Sequence, residues 1–504
     1  MRSRTSRLEL FLGVIALVLL GCTVGEDGWE SARRPEAAPP DTERIEPKEP
    51  AAGDTEVLLD ETAVDPLSVG GEPESAEVEP SPAAELPDEV AVGPSVPEPP
   101  VDVSDEMAPD TTAPYWPAFQ GPRGDNISTE TGLLREWPED GPELLWTARG
   151  IGSGYSTVSL AGGLIYTAGN IGDNTVVTAL TLDGEVRWQA PVGGAWAKAY
   201  PGTRSTPTID GNRLYYQNPL GELYCLDART GEPIWNVSVL ERFGAPNITW
   251  ALAESVLIDG DRVISTPGGP NTAVVALDKW TGETVWQSES AAGDATSYAT
   301  PTLAEYEGKR LIFTMTGRAA ICVDADTGRL YWRFPHKVAH DINALSPIFH
   351  DGHVFISSGY RSGSRLLRVL VDGDDMDVEE VWATTDLDNH HDGVVLVDGY
   401  LYGARWRGGW SCLEWETGQT MYMERGVGKG SVTYAEGMLY TFSDRGEMGL
   451  VPATPEEHEI VSRFRVPPGG SGRSWAYPVV CDGRLYLRHD DYLFCYDIRD
   501  PEAE

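Results

Sequence analysis

The stretch "STPTIDGNRLYYQNPLGELYCLDARTGEPIWNVSV" (Ser205–Val239) decides the fold, because it returns. Laid over "ESVLIDGDRVISTPGGPNTAVVALDKWTGETVWQSE" (Glu254–Glu289), it brings the "IDG", the "LD", the "TGE" and the tryptophan into register. A third copy, "TPTLAEYEGKRLIFTMTGRAAICVDADTGRLYWRFP", covers Thr300–Pro335. Self-similarity at a period of forty to fifty residues marks a repeat architecture. Weaker copies begin near Ser156, Ser346, Gly393, Ser431 and Tyr477, giving eight units.

Each unit holds four short apolar or alternating runs separated by Asp-Gly or Thr-Gly turns, the pattern of a four-stranded antiparallel meander with tight hairpins. Such sheets repeated around an axis form an all-β propeller of eight blades. The last unit stops at "LFCYDIRD" without a tryptophan-bearing fourth strand, and an orphan strand of that kind, "ELLWTARG" (Glu143–Gly150), precedes the first. The N-terminal strand therefore closes the ring by completing the final blade, which removes an unpaired edge.

The motifs "LDARTGEPIW", "LDKWTGETVW" and "VDADTGRLYW" resemble those of the quinoprotein-type, or PQQ-like, β-propeller family. The leading segment "YWPAFQGPRGDNISTETGLLREWPEDGPELLW" (Tyr115–Trp146) resembles a bacterial, planctomycete-like branch of PQQ-like repeat lipoproteins. The resemblance implies the propeller fold over about 390 residues. It is less specific about activity, since the family includes quinone-dependent dehydrogenases, outer-membrane assembly scaffolds and proteins of other roles.

Ahead of the ring, "MRSRTSRLELFLGVIALVLLGC" reads as an export signal over residues 1–21: three arginines, an apolar run too short for a comfortable span, then Gly21 before Cys22. Leu19-Leu20-Gly21-Cys22 resembles a lipobox, which implies lipidation at Cys22 and attachment to an envelope membrane bilayer. Thr23 after the cysteine favours the outer membrane by the same resemblance, with the propeller on the periplasmic or external side. Residues 22–113 carry roughly 25 acids against about 4 bases, many prolines and a single tryptophan. Such a composition cannot bury enough apolar surface to offset chain entropy and predicts a disordered tether. As a flexible coil, about 90 residues would span on the order of 50 Å r.m.s.. The folded propeller is expected over 114–500, as a monomer.

The formal charge of -41 excludes nucleic acid as a partner, because a binder must displace counterions from phosphates with a cationic surface. Cys225, Cys322, Cys412 and Cys495 recur at one place in the second, fourth, sixth and eighth units, too far apart around a ring for disulfides. They read as small hydrophobes in packed strands. Cys481 lies two strands from Cys495, and a bridge there is the weaker reading.

The segment entering each unit's first strand should lie near the axis. The residue three before each apolar start is Tyr155, Arg204, Ala253, Tyr298, Ala344, His391, Lys429 and Trp475. Six of these, Tyr155, Arg204, Tyr298, His391, Lys429 and Trp475, are large, polar-tipped or cationic and are the candidate ligand-binding set at the funnel mouth. Their cations suit an anionic or polyhydroxylated ligand; an envelope protein is the other partner the fold would take. In "DNHHDG" (Asp388–Gly393), extended alternation would let at most one of His390 and His391 face the axis, and Asp388 and Asp392 read as turn residues bonding their own backbone. Trp406, between Arg405 and Arg407, is expected at a rim; Trp415 is expected between blades. His340, Asn343 and His489 are neighbouring polar candidates, and Asp490-Asp491 reads as a hairpin turn.

Three functions stay open. A non-catalytic binding or scaffold propeller expects no cofactor. A PQQ- and calcium-dependent alcohol or polyol dehydrogenase would, by resemblance, need an adjacent cysteine pair over the quinone and calcium held by carboxylate and amide oxygens; the sequence holds no such pair. An outer-membrane assembly factor would pair strands with a partner.

Overall fold

The computed structural model describes residues 113–503. The signal segment, Cys22 and the acidic tether lie outside these residues. Eight sheets follow in chain order. Blades 1 to 6 span Ser159–Gly194, Thr208–Ser238, Leu257–Gln287, Thr302–Pro335, Ile348–Thr384 and Val394–Glu424. Blade 7 spans Gly430–Arg465 and carries an extra short strand, β1 (Ile127–Ser128), parallel to its first strand. Blade 8 takes three strands from Val479–Asp497 and its fourth from β2 (Glu143–Ala148), paired antiparallel with Tyr492–Asp497. The closure read from the orphan strand is thus present.

The repeat signature has a physical cause. In blade 2 the Asp227 carboxylate accepts the backbone N–H groups of Arg229 and Thr230, both at 2.9 Å, which locks the turn before Gly231. Asp278 and Asp324 do the same in blades 3 and 4. Gly231 is left-handed at φ 76°, and the Trp188 indole of the preceding blade lies flat on it, donating Nε1–H to Ala228 O at 3.2 Å. Trp146 on Gly184, Trp235 on Gly282, Trp286 on Gly328 and Trp382 on Gly418 repeat the contact. Each tryptophan therefore clasps the next blade's turn. Blade 5 departs from the pattern: its Asp372–Asp375 hairpin has no Thr-Gly turn, and Trp332 packs against Phe313 instead.

The cysteines stand directly across strands from these aromatic residues, Cys225 opposite Trp235, Cys322 opposite Trp332, Cys412 opposite Tyr422 and Cys495 opposite Trp146. All, Cys481 included, are buried free thiols. Burial pushes the Cys225 thiol up to about 11 and those of Cys412, Cys481 and Cys495 up to about 12, which leaves them inert.

Near the axis, hydroxyls stitch neighbouring first strands. Thr157 N–H donates to Thr206 Oγ1, Thr206 N–H to Ser255 Oγ, and Ser255 N–H to Thr300 Oγ1, at 3.2, 2.9 and 3.1 Å. Across the closing seam Thr157 Oγ1 donates to Tyr477 O at 2.8 Å. Arg488, 2% exposed, adds a rivet: its guanidinium donates to the carbonyls of Ser156, Ala168 and Gly152 at 2.9, 2.6 and 2.8 Å, joining blade 8 to blade 1.

The leading segment closes one end of the ring. Trp116 bridges to Leu160 in blade 1, Pro117 O accepts Ile209 N–H in blade 2, and Glu130 accepts the Asp482 and Gly483 N–H groups in blade 8. Phe119 meets Tyr477 edge to face at 5.0 Å, and the Tyr477 hydroxyl donates to His391 O at 3.0 Å. The plug thus reaches the floor of the opposite, open end.

Candidate functional site at the funnel mouth

The segments leading into the first strands gather at that open end, and rings from several blades form a circuit. Trp475 contacts Tyr155 and His391 at 4.7 Å between centroids. His391 meets His390 at 4.4 Å, His390 meets Tyr360 at 5.1 Å, Tyr360 meets His340 at 5.7 Å, and His340 meets Trp250 at 6.0 Å. Trp250 meets Tyr298 at 6.4 Å and donates its backbone N–H to the Tyr298 hydroxyl at 3.4 Å. Arg204 lies over the Tyr155 ring at 5.6 Å and shares an electrostatic interaction with Tyr298, which completes the circuit. Burial pushes the Tyr298 phenol up to about 12.

All six candidate residues take part. In the two units where the position is alanine, aromatic residues of the same connecting loops, Trp250 and His340, join the ring instead. Tyr200, half exposed, meets Trp475 at 5.2 Å with the rings tilted by 46°. Tyr200, His340 and Tyr360 hold left-handed backbones at φ 53°, 61° and 56°, a conformation that costs energy in residues with side chains. None of Trp250, Tyr200 and Tyr360 is marked by the repeat register, because irregular connections carry no period; only their aromatic character in the loops of one face points to them.

The histidine pair corrects the sequence expectation. Lys429 Nζ lies 3.0 Å from His390 Nδ1 and 3.5 Å from His391 Nε2, so both rings turn to one ammonium. Alternation fails because residues 387–393 are irregular, with a bend at His391–Asp392, rather than a strand, and end at Gly393 with φ 78°. Asp392 is likewise no self-bonded turn residue. It is 2% exposed, with Oδ1 3.2 Å from His391 Nδ1 and Oδ2 4.0 Å from Lys429. Burial alone would raise its carboxyl, but His391 and Lys429 outweigh burial and hold it well below the usual carboxylate range. Asp388 reaches across loops, accepting the Trp406 N–H at 3.2 Å. Burial, reinforced by His391 and Lys429, pushes the His390 imidazole well below its ordinary value and keeps it neutral.

The remaining polar candidates divide. Asn343 is structural, donating to Thr316 O at 2.9 Å and accepting from Ser358 at 2.6 Å. Asp490-Asp491 is a two-residue hairpin turn, and Asp491 also accepts the Gly150 and Gly152 N–H groups. Trp406 stacks between Tyr360 and Arg407 at the rim, and Trp415 is buried between blades 5 and 6.

The donor set does not fit calcium-assisted quinone chemistry. Calcium takes six to eight oxygen ligands. The mouth offers two buried carboxylates, Asp388, which accepts the Trp406 N–H, and Asp392, already flanked by Lys429 and His391, and among the described residues no three His, Cys, Asp or Glu side chains converge as metal ligands.

Comparison with known proteins agrees with the ring. A repeat family described as "Outer membrane protein assembly factor BamB" matches residues 172–422. The BamB of Yersinia pestis is 25% identical over 250 residues, 47% of this chain and 59% of that protein; that of Aliivibrio fischeri is 37% identical over 82 residues, 16% and 20%. The chain therefore spans about three-fifths or less of these relatives. Among solved structures, BamB from Moraxella catarrhalis superposes with TM-score 0.50 at 16% identity, covering 72% of this chain and 99% of that one. Quinohemoprotein alcohol dehydrogenase from Comamonas testosteroni gives 0.54 at 12% identity, covering 78% and 81%. At these identities the superpositions speak for the fold. With its repeat signature and eight closed blades the chain is an eight-bladed β-propeller, and over residues 172–422 it is similar to the repeat family described as outer membrane protein assembly factor BamB.

Proposed function

We propose that this protein is an envelope-anchored, non-catalytic binding propeller, tethered through a lipidated Cys22, whose open mouth takes an anionic or polyhydroxylated ligand. The observation that carries the reading is the ring circuit itself. Aromatic rings from blade after blade, interleaved with Arg204 and Lys429, converge at the end of the ring opposite the leading segment. Aromatic and arginine side chains are those that recognition sites concentrate. Carbohydrate C–H faces and anionic groups both find partners there.

The double variant Arg204→Ala, Lys429→Ala should abolish binding on a glycan array while keeping the wild-type melting temperature. Unchanged binding would place the site elsewhere. Adding PQQ and calcium should give no turnover in a dye-linked alcohol assay.

A second reading is favoured by the BamB description of the family matching residues 172–422 and by the two relatives of that name. As an outer-membrane assembly factor, the chain would hold a partner protein on a blade edge or the mouth. Affinity capture that recovers outer-membrane assembly components from solubilised envelopes would support this second reading. Their absence, with retained glycan binding, supports the first.

A further inference from the structure

Resting on the binding reading, we propose that the mouth selects acidic over neutral saccharides by binding an oxyanion, carboxylate or sulfate, at Lys429 and Arg204, with the Trp475 and Tyr200 rings stacking on the sugar.

The argument begins with what the two cations touch. Lys279 with Asp210 at 2.8 Å and Arg333 with Asp294 at 2.7 Å are part-buried cations that meet a carboxylate closely, whereas Arg213 and Arg484 bond Cys225 Sγ and Leu182 O. At the mouth neither cation has such a close carboxylate. Arg204 donates Nη1–H to Gly202 O at 3.0 Å and Nη2–H to Tyr200 O at 2.7 Å, both neutral acceptors. Lys429 has imidazole nitrogens as its nearest acceptors, and Asp392 stays at 4.0 Å, beyond hydrogen-bond reach. Among the described residues Arg204 thus has no carboxylate partner, and Lys429 has Asp392 only at 4.0 Å, in a chain carrying 79 acidic residues. Buried charges are ordinarily paired, so such a pair is set for an anion from outside.

The surrounding groups add surplus donors. Lys429 donates to His390 Nδ1, which puts the proton of that neutral ring on Nε2. His390 Nε2 and Trp475 Nε1 are both buried N–H groups with no acceptor. A sugar hydroxyl can donate or accept, whereas a carboxylate or sulfate only accepts. Against these donors stand two buried acceptors of the same loop that also lack a hydrogen-bond partner, Asn389 Oδ1 and Asp392 Oδ2, so the preference for the oxyanion rests on the charge of Lys429 and Arg204, while the half-exposed Tyr200 beside Trp475 offers an apolar face to the ring bearing it. Arg488 shows the contrast: it too bonds carbonyls, but it is sealed inside the seam where no ligand reaches.

Titration calorimetry of the full-length chain in detergent, with trigalacturonate, a sulfated disaccharide and neutral galactotriose as probes, tests this. At least one acidic probe should bind tenfold or more tighter than the neutral one, and which of them does so identifies the oxyanion. Lys429→Met, and separately Arg204→Gln, should each weaken the acidic probe that binds best by tenfold or more and so remove most of that preference. Trp475→Ala should weaken acidic and neutral probes alike. Equal affinity for acidic and neutral probes, or indifference of the acidic probes to both cation variants, overturns the oxyanion assignment; a loss in Trp475→Ala would still leave the mouth as the binding site. If no probe binds the wild type, the oxyanion assignment and the saccharide reading fall together.

Discussion

Gly231 shows how much of this ring is decided one residue at a time. A Cβ there would lie 2.5 Å from the Trp188 indole, and the backbone is left-handed, so Gly231→Ala meets both a steric and a conformational penalty. We predict a loss of about 2–4 kcal/mol by urea denaturation. Gly211→Ala is the control. It is also left-handed at φ 57° but faces open space, and should cost only about 1 kcal/mol. Glu254 gives a second residue-scale test. It is 1% exposed, and burial pushes its carboxyl up to about 7 although Thr266 N–H points at both oxygens from 3.0 Å. A carboxyl raised on folding binds its proton more tightly folded than unfolded. Its penalty is therefore absent below the unfolded value near 4.5 and grows as pH rises through 7. Glu254→Gln should leave the melting temperature nearly unchanged at pH 4.5 and raise it at pH 8. A gain larger at the acid end would show that the buried carboxyl is not the titrating group.

Among elements, β2 and Arg488 carry the seam, the one place where blades joined in space are remote in sequence. β2 pairs residues 143–148 with 493–497, and Trp146 lies on Gly184 of blade 1, so the strand also clasps across the closure. Replacing Arg488 by Met strips several charge-assisted hydrogen bonds and leaves the carbonyls of Ser156, Gly152 and Ala168 without that donor inside the fold. The expected loss is about 3 kcal/mol or more, read as a lowered urea midpoint. Arg499→Met, which removes only an exposed pair with Asp497, should cost less than about 1 kcal/mol. The blades and β2 were legible in advance because their causes are local: Asp-Gly hairpins, an aspartate-locked turn and a tryptophan at fixed distance leave a register that repeats. The six mouth positions followed from the same register. The histidine pair did not, because residues 387–393 are irregular and the period-2 rule has no strand to act on. Trp250, Tyr200 and Tyr360 were out of reach for the same reason, standing in connections whose path depends on packing between blades. Arg488 was equally silent, since a buried arginine looks like any other until its carbonyl partners are in place.

At the scale of the whole molecule, charge and shape oppose each other. The chain carries a net -41, and roughly half of it falls on residues 22–113. Against this acidic body stand Arg204 and Lys429 in the mouth and Arg407 over Trp406 at the rim. An anionic ligand is therefore repelled at long range and attracted only on arrival. Screening separates the two: the Debye length falls from about 30 Å at 0.01 M to about 8 Å at 0.15 M, which quenches the distant repulsion far more than contacts of 3–4 Å. Association of trigalacturonate should accordingly speed up several-fold across that range, opposite to the salt dependence of an electrostatically steered pair. Its dissociation should change much less, because short, partly buried contacts are weakly screened. Stopped-flow fluorescence of the mouth tryptophans reads both rates. Beginning the chain at residue 113 removes roughly half the charge and should flatten the dependence by a similar share. If association instead slows with added salt, the field of the mouth extends beyond the acidic body, and the ligand is steered in rather than admitted against repulsion.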